Sequence, residues 1–203
     1  APTRTSYTPT SPAPNAVIRS PSDFHDFINS LTNVNAPMIT WIARPIGPKV
    51  LANAPRTPSP GIILSKGDII FTHIAYAFLG KPEHCENNEQ ICQLILDSFL
   101  EILGEEGTLL VPTYTYSFCE KNDYDIKNSP STVGPFTEFF RKQKNVIRSE
   151  DPIFSVAGIG SKSEELLSNL PHTCFGKNSI YDKLKKNHGK ICMVGLQLRW
   201  ATF

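Results

Sequence analysis

The stretch "ENNEQICQLILDSFLEILG", residues 86–104, limits the possible folds more than any other part of this chain. Ile91, Leu94, Ile95, Phe99, Ile102 and Leu103 recur at the spacing of one helix face, and Gly104 follows as a C-cap. On either side stand apolar runs of another kind: "GDIIFTH" before it and "GTLLVPTYTY" after it read as buried strands. A helix between two such strands has one apolar face, which it buries on the sheet they form. The alternation then continues. "GPFTEFFRKQK" predicts a short helix with cations in its last turn, and "PIFSVAGIG" a third strand. Ser161 with Glu164, and Ser179 with Asp182, are spaced as capping boxes that open two more helices. "GKICMVG" is the fourth strand. The predicted fold class is α/β: a layered α-β-α sandwich around a central, largely parallel or mixed sheet.

The alternation begins near Gly61. Eleven of the seventeen prolines lie in the first sixty residues, so residues 1–60 are expected to be a proline-rich, partly disordered segment and residues 61–203 the folded α/β domain. Within the segment, "DFHDFINSL" fits one short helix. "PMITWIARPIGPKV" fits an extended stretch whose prolines exclude a central strand. Its opening tract has Arg4 and Arg19 and no acidic residue before Asp23, but it lacks the amphipathic run of a transit peptide. A net charge of +1 gives no general electrostatic case for nucleic acid or anionic membrane, and no apolar run reaches the length of a spanning helix. Five scattered cysteines without a C-x-x-C spacing read as reduced packing thiols of a cytosolic protein, against a disulfide framework or a zinc site.

Chemistry is expected at strand ends. His73 closes the first strand, where an imidazole either faces a ligand or packs against a backbone carbonyl. "NSPSTVG", residues 128–134, is a turn running into a helix, a place where backbone amides can hold an anion. "IRSEDPIFS" puts Arg148, Ser149, Glu150 and Asp151 just before a strand, lining a pocket or capping the surface. His84, His172 and His188 lie in polar contexts and read as solvated. Walker, dinucleotide, nucleophile-elbow and metal-ligand motifs are absent from the sequence.

In order along the chain, "GDIIFTHIAYAFLG", "GEEGTLLVPTYTYSF", "NSPSTVGPFTEFFRK", "VIRSEDPIFSVAGIG", "CFGKNSIYDKL" and "GKICMVG" resemble the aminoglycoside N3-acetyltransferase-like family. The resemblance runs from about residue 61 to residue 203. It implies transfer of an acetyl group from acetyl-CoA, as co-substrate, to the amine of an amino sugar, either an aminoglycoside or a glycan precursor. It also implies small-molecule partners, with neither nucleic acid nor membrane, and leaves the oligomeric state open. By the same resemblance His73, Ile74, Ala75 and Tyr76 lie along the pantetheine arm. Ser129, Ser131, Val133 and Gly134 lie near the phosphate end of the cofactor. Tyr114, Arg148 and Asp151 lie in the substrate pocket, and His73 orients the catalytic site. No metal is implied.

Two departures from the family pattern stand out. The loop that is serine-rich in the family (H-S-S-L-S) reads "HIAYAF" here, which removes hydroxyl donors and leaves backbone contacts. The family's T-x-x-H-x-x-E, whose histidine is regarded as the base, is matched only at its beginning by Thr202 and Phe203, and Gln197 stands near its usual acidic position. These departures favour, as an alternative, a C-terminally truncated, non-catalytic chain or a module that binds CoA or a partner. A hydrolase of the α/β class would need the nucleophile motif that the sequence lacks.

Overall fold

The computed structural model describes residues 42–45, 64–78 and 85–195. The expected disorder of the opening tract, the "DFHDFINSL" helix, His84 and Gln197 lie outside these residues. The elements are β1 (Ile42–Pro45), β2 (Ile69–Ile74), one 3-10 turn (Tyr76–Phe78), α1 (Asn88–Leu103), β3 (Thr108–Pro112), α2 (Pro135–Phe140), β4 (Ile147–Arg148), β5 (Val156–Gly160), α3 (Ser163–Leu167), α4 (Ile180–Lys186) and β6 (Lys190–Val194).

The strands form one mixed sheet in the order β1-β6-β2-β3-β5-β4. Its centre, β6-β2-β3, is parallel; β1 and β5 pair antiparallel with its two sides, and β4 pairs antiparallel with β5. β1 takes an edge, the place its Pro45 permits. Successive side chains of a strand point to opposite faces, and β2 divides accordingly. Ile70 and Ile74 join a core with Ile95, Phe99 and Leu103 of α1 and with Phe136 and Phe140 of α2. Ile69 and Phe71 join a second core with Leu166 and Leu167 of α3 and with Ile180, Tyr181 and Leu184 of α4. Helices therefore cover both faces, and the layered sandwich is the observed fold.

α1 follows its sequence pattern closely. The Asn87 side chain accepts a hydrogen bond from the Gln90 amide at one end, and Gly104 turns the chain at φ +64° at the other. Cys92 and Leu96 are buried beside the expected residues, while Leu94 and Ile102 are only partly covered. Phe99 is fully buried, so truncating it to alanine would cost about 3–5 kcal/mol.

Three local expectations are corrected. The Ser161–Glu164 capping box does not form: the Ser161 hydroxyl donates instead to the Glu106 carbonyl at 2.6 Å, and the N-cap of α3 is Lys162. Ser179 does cap α4, accepting from the Asp182 amide at 3.3 Å. The strand read from "PIFSVAGIG" starts only at Val156, because the Asp151 carboxylate accepts from the Ile153 and Phe154 amides, both at 2.8 Å, and folds that stretch into a turn. α2 ends at Phe140, so Arg141 and Lys142 lie past its last turn and reach back to Glu138.

Candidate active site

The parallel strands β2, β3 and β6 end on one edge of the sheet, the usual location for ligands in open α/β folds. The antiparallel pairing of Pro112 with Val156, and of Arg148 with Ala157, brings the start of β5 and the end of β4 to the same edge. His73, Tyr114, Arg148 and Asp151, up to 78 positions apart in sequence, are gathered there by topology alone.

His73 is buried and its ring meets the edge of Phe71 at 5.0 Å. Burial disfavours the imidazolium and lowers its pKa to about 4, so it is neutral near pH 7. The side chains of Ile74 and Tyr76 turn into the core beneath α1, which leaves only backbone there for a ligand to meet. Ala75 is half-buried and its amide donates to the Val194 carbonyl at 2.8 Å, joining the ends of β2 and β6.

From Phe71 a chain of aromatic rings runs outward. Tyr181 meets Phe71 edge-on at 5.8 Å and stacks on Phe175 at 5.1 Å with only 16° between planes. Phe175 meets Phe154 at 5.4 Å, and Phe154 meets Tyr114 at 5.1 Å and Tyr116 at 6.1 Å. Tyr116 takes φ +56°, a left-handed backbone uncommon for an aromatic, at the start of a turn that accepts the Cys119 amide. Phe71, Tyr114 and Tyr181 are buried and Phe154 is half-buried, while Tyr116 and Phe175 are 37% and 45% exposed. Sequence reading singled out Tyr114 alone. Tyr116, Phe154, Phe175 and Tyr181 come from separate segments, and no spacing in the sequence links them. Asp151 lies beside this wall, hydrogen-bonded to Cys174, whose thiol burial pushes up to about 11.

The turn of residues 128–134 differs from its sequence reading. The Ser131 amide, expected to face a phosphate, donates to the Glu138 carboxylate at 2.7 Å, and the Ser131 hydroxyl pairs with that of Thr137 at 2.7 Å. The Thr132 amide donates to the Tyr114 carbonyl at 2.9 Å. Burial alone would raise the Glu138 pKa, but hydrogen bonds from Arg141, Lys142 and the Ser131 amide prevail and hold it at about 2. Ser129 bonds back to Asp125 through both its amide and its hydroxyl. Val133 packs on the second core. Gly134 differs from these neighbours: at φ +139° a Cβ placed there would meet nothing within 4 Å, so the backbone is open to approach at that point.

Arg148, expected in a substrate pocket, gives its donors to the protein. Nη2 donates to the Thr113 carbonyl at 2.6 Å, Nε to the Thr113 hydroxyl at 3.1 Å, and Nη1 to the Ser129 carbonyl at 2.6 Å. Its guanidinium also lies 5.3 Å from the Tyr124 ring centre. Beneath it, Thr113 and Ser155 exchange buried bonds: the Thr113 amide donates to the Ser155 carbonyl at 2.8 Å, and the Ser155 hydroxyl to the Thr113 carbonyl at 2.6 Å. His172 and His188 are exposed, as their polar contexts suggested. Among the described residues no cluster of three or more His, Cys, Asp or Glu is placed to hold a metal, and no helix is long and apolar enough to cross a membrane.

A family model described as aminoglycoside 3-N-acetyltransferase matches residues 80–203. Solved structures with the same fold include AAC-IIIb as a binary complex with CoASH, 23% identical with a TM-score of 0.55 and covering 64% of this chain and 53% of that one. YokD from Bacillus subtilis is 19% identical with a TM-score of 0.56, covering 64% of this chain and 59% of that one. AAC-VIa bound to sisomicin is 21% identical with a TM-score of 0.56, covering 64% and 53%. The chain thus spans a little over half the length of these structures. A search of curated proteins finds no match.

Proposed function

Because the chain belongs to the aminoglycoside 3-N-acetyltransferase family, we propose that it binds CoA at the carboxyl edge of its sheet and serves the transfer of acetyl from acetyl-CoA to the amine of an amino sugar. One observation carries this reading: three ligand-suited surfaces converge on that edge. They are the β2 end with His73 and Ala75, the open backbone at Gly134, and the aromatic wall that ends at Phe175.

The residues fit such a ligand in a particular way. Ile74 and Tyr76 are packed away, so the pantetheine arm would run past backbone at residues 73–76. A phosphate would approach at Gly134, since the Ser131 amide is already bonded to Glu138. The aromatic wall offers ring faces to the apolar side of a sugar, and Asp151 beside it offers a charge to an ammonium group. In the transfer a nitrogen–carbon bond forms as the thioester carbon–sulfur bond breaks. The amine loses a proton to a base, and the departing thiolate ends protonated. His73, with a pKa of about 4, is too weak a base for that proton, so its part is to orient the site. The base on this reading lies outside the described residues. A cytosolic setting fits the use of acetyl-CoA.

Two measurements test the proposal. Thermal unfolding with CoA, with pantetheine and with inorganic polyphosphate should show a stabilisation by CoA that neither fragment reproduces; at a hundredfold excess over Kd the gain is about 2.7 kcal/mol. Thiol release from acetyl-CoA across a panel of amino sugars should then be compared with and without an appended T-x-x-H-x-x-E end. A folded sample that saturating CoA fails to stabilise refutes the CoA site. Fast turnover abolished by His73→Ala would make His73 the base and refute its orienting role.

A further inference from the structure

A two-residue edge strand needs only β-forming side chains, yet β4 carries an arginine whose planar fork joins two separate parts of the edge. On one side Nη2 and Nε hold Thr113, the residue that leads from β3 into the aromatic wall at Tyr114. On the other, Nη1 holds the carbonyls of Ser129 at 2.6 Å and Ile126 at 3.2 Å, within the segment that runs on to Gly134. The fork is itself held in place. Tyr124 lies against the guanidinium, and its hydroxyl donates to the Ser149 carbonyl at 2.7 Å, next in sequence to Arg148. The segment is also held from its far flank, where Arg141 donates to the Lys127 carbonyl at 2.6 Å and Glu138 accepts from the Ser131 amide. Its near flank depends on the Arg148 fork and on the Thr132 bond to Tyr114.

We infer that Arg148 is a positioning residue: by bridging Thr113 to Ser129 it sets the spacing between the aromatic wall and the open backbone at Gly134. This rests on the reading above, in which those surfaces are the acceptor side and the cofactor side of acetyl transfer. A lysine cannot replace it fully, because a single ammonium does not present the rigid, divergent donors that span three carbonyls and a hydroxyl.

The test compares the full chain with Arg148→Lys and Arg148→Met. Hydrogen exchange read by mass spectrometry should show residues 125–134 exchanging roughly tenfold faster or more in the Met form, while β2 and β3 stay protected. CoA affinity by calorimetry should fall about tenfold in the Met form and less in the Lys form. Unchanged exchange of residues 125–134 in the Met form overturns the inference, as does equal CoA affinity in all three proteins. If the parent protein binds no CoA, the functional reading fails and the exchange comparison still decides the positioning role. Should the Met form not fold, the Lys form carries the same comparison.

Discussion

The hydroxyls of Tyr114 and Tyr181 lie 3.0 Å apart in the second core, joining the second residue after β3 to the first turn of α4 across 67 positions of sequence. Burial raises the Tyr181 pKa far above the ordinary phenol range, and the nearby Tyr114 adds to the effect, so this contact is a bond between neutral hydroxyls. Replacing either tyrosine by phenylalanine keeps the ring and removes one end of a buried hydrogen bond. Each single change is expected to cost about 1–2 kcal/mol. The double change should cost less than the two added together, because it strands neither hydroxyl. Urea unfolding of the four proteins measures this, and strict additivity would show that the two groups are not coupled.

His73 makes the fold sensitive to acid. Its folded pKa, about 4, lies below the ordinary 6.5, so burial favours the neutral ring. The stability contributed by this group is therefore fully present above pH 6.5 and is lost as pH falls towards 4, with a span on the order of 3 kcal/mol. Unfolding free energies measured from pH 7 to pH 4 should fall by up to this amount, and a His73→Gln variant should lose that part of the slope. An identical slope in the variant would assign the acid sensitivity to other groups.

Gly160, at the end of β5, sits at φ +117° against the start of β3. A Cβ there would collide with the Gly107 carbonyl oxygen and come within 2.8 Å of the Thr108 Cα, and both are backbone atoms with little room to move. Gly160→Ala is expected to cost about 3 kcal/mol or more, combining backbone strain with displacement of a central strand. Gly134→Ala meets no such obstacle, so the difference in unfolding midpoint between the two variants isolates the steric part.

Phe175 tests whether the aromatic wall serves the acceptor, as proposed above. Its ring is 45% exposed and stacks on Tyr181, at the outer end of the wall. Phe175→Ala should cost only about 1 kcal/mol of stability. It should raise the KM for an amino-sugar acceptor several-fold and leave CoA affinity unchanged. An equal loss of CoA affinity would place this ring on the cofactor side.

Much of the scaffold could be read from the sequence because it rests on local periodicity. α1 kept its expected end at Gly104, and the four apolar runs became β2, β3, β5 and β6. Less legible were the features set by competition between local partners. Ser161 had a carboxylate at the spacing of a capping box, but the Glu106 carbonyl, 55 positions away, takes its hydroxyl. The "SPSTVG" turn looked ready for an anion, but the Glu138 carboxylate already accepts the Ser131 amide. β4, at two residues, is shorter than any pattern can reveal, and only its pairing with β5 makes it a strand. The aromatic wall was hidden because its rings come from segments that only the folded chain brings together.

The place of β6 in the sheet bears on how the chain comes off the ribosome. Among the described strands β6 is made last, yet it occupies an interior slot, with β1 on one side and β2 on the other. Until residues 190–194 emerge, β2 presents one unpaired flank of backbone donors and acceptors while β3 and β5 can already assemble against its other side. An open apolar flank of this kind invites pairing with a neighbouring nascent chain. Closure also depends on contacts spanning more than 100 positions, such as Phe71 with Ile191, which favours slow, late completion over early nucleation at that strand. Any interruption of translation before β6 would therefore release a sheet with an unfilled interior slot, and not merely a shortened one.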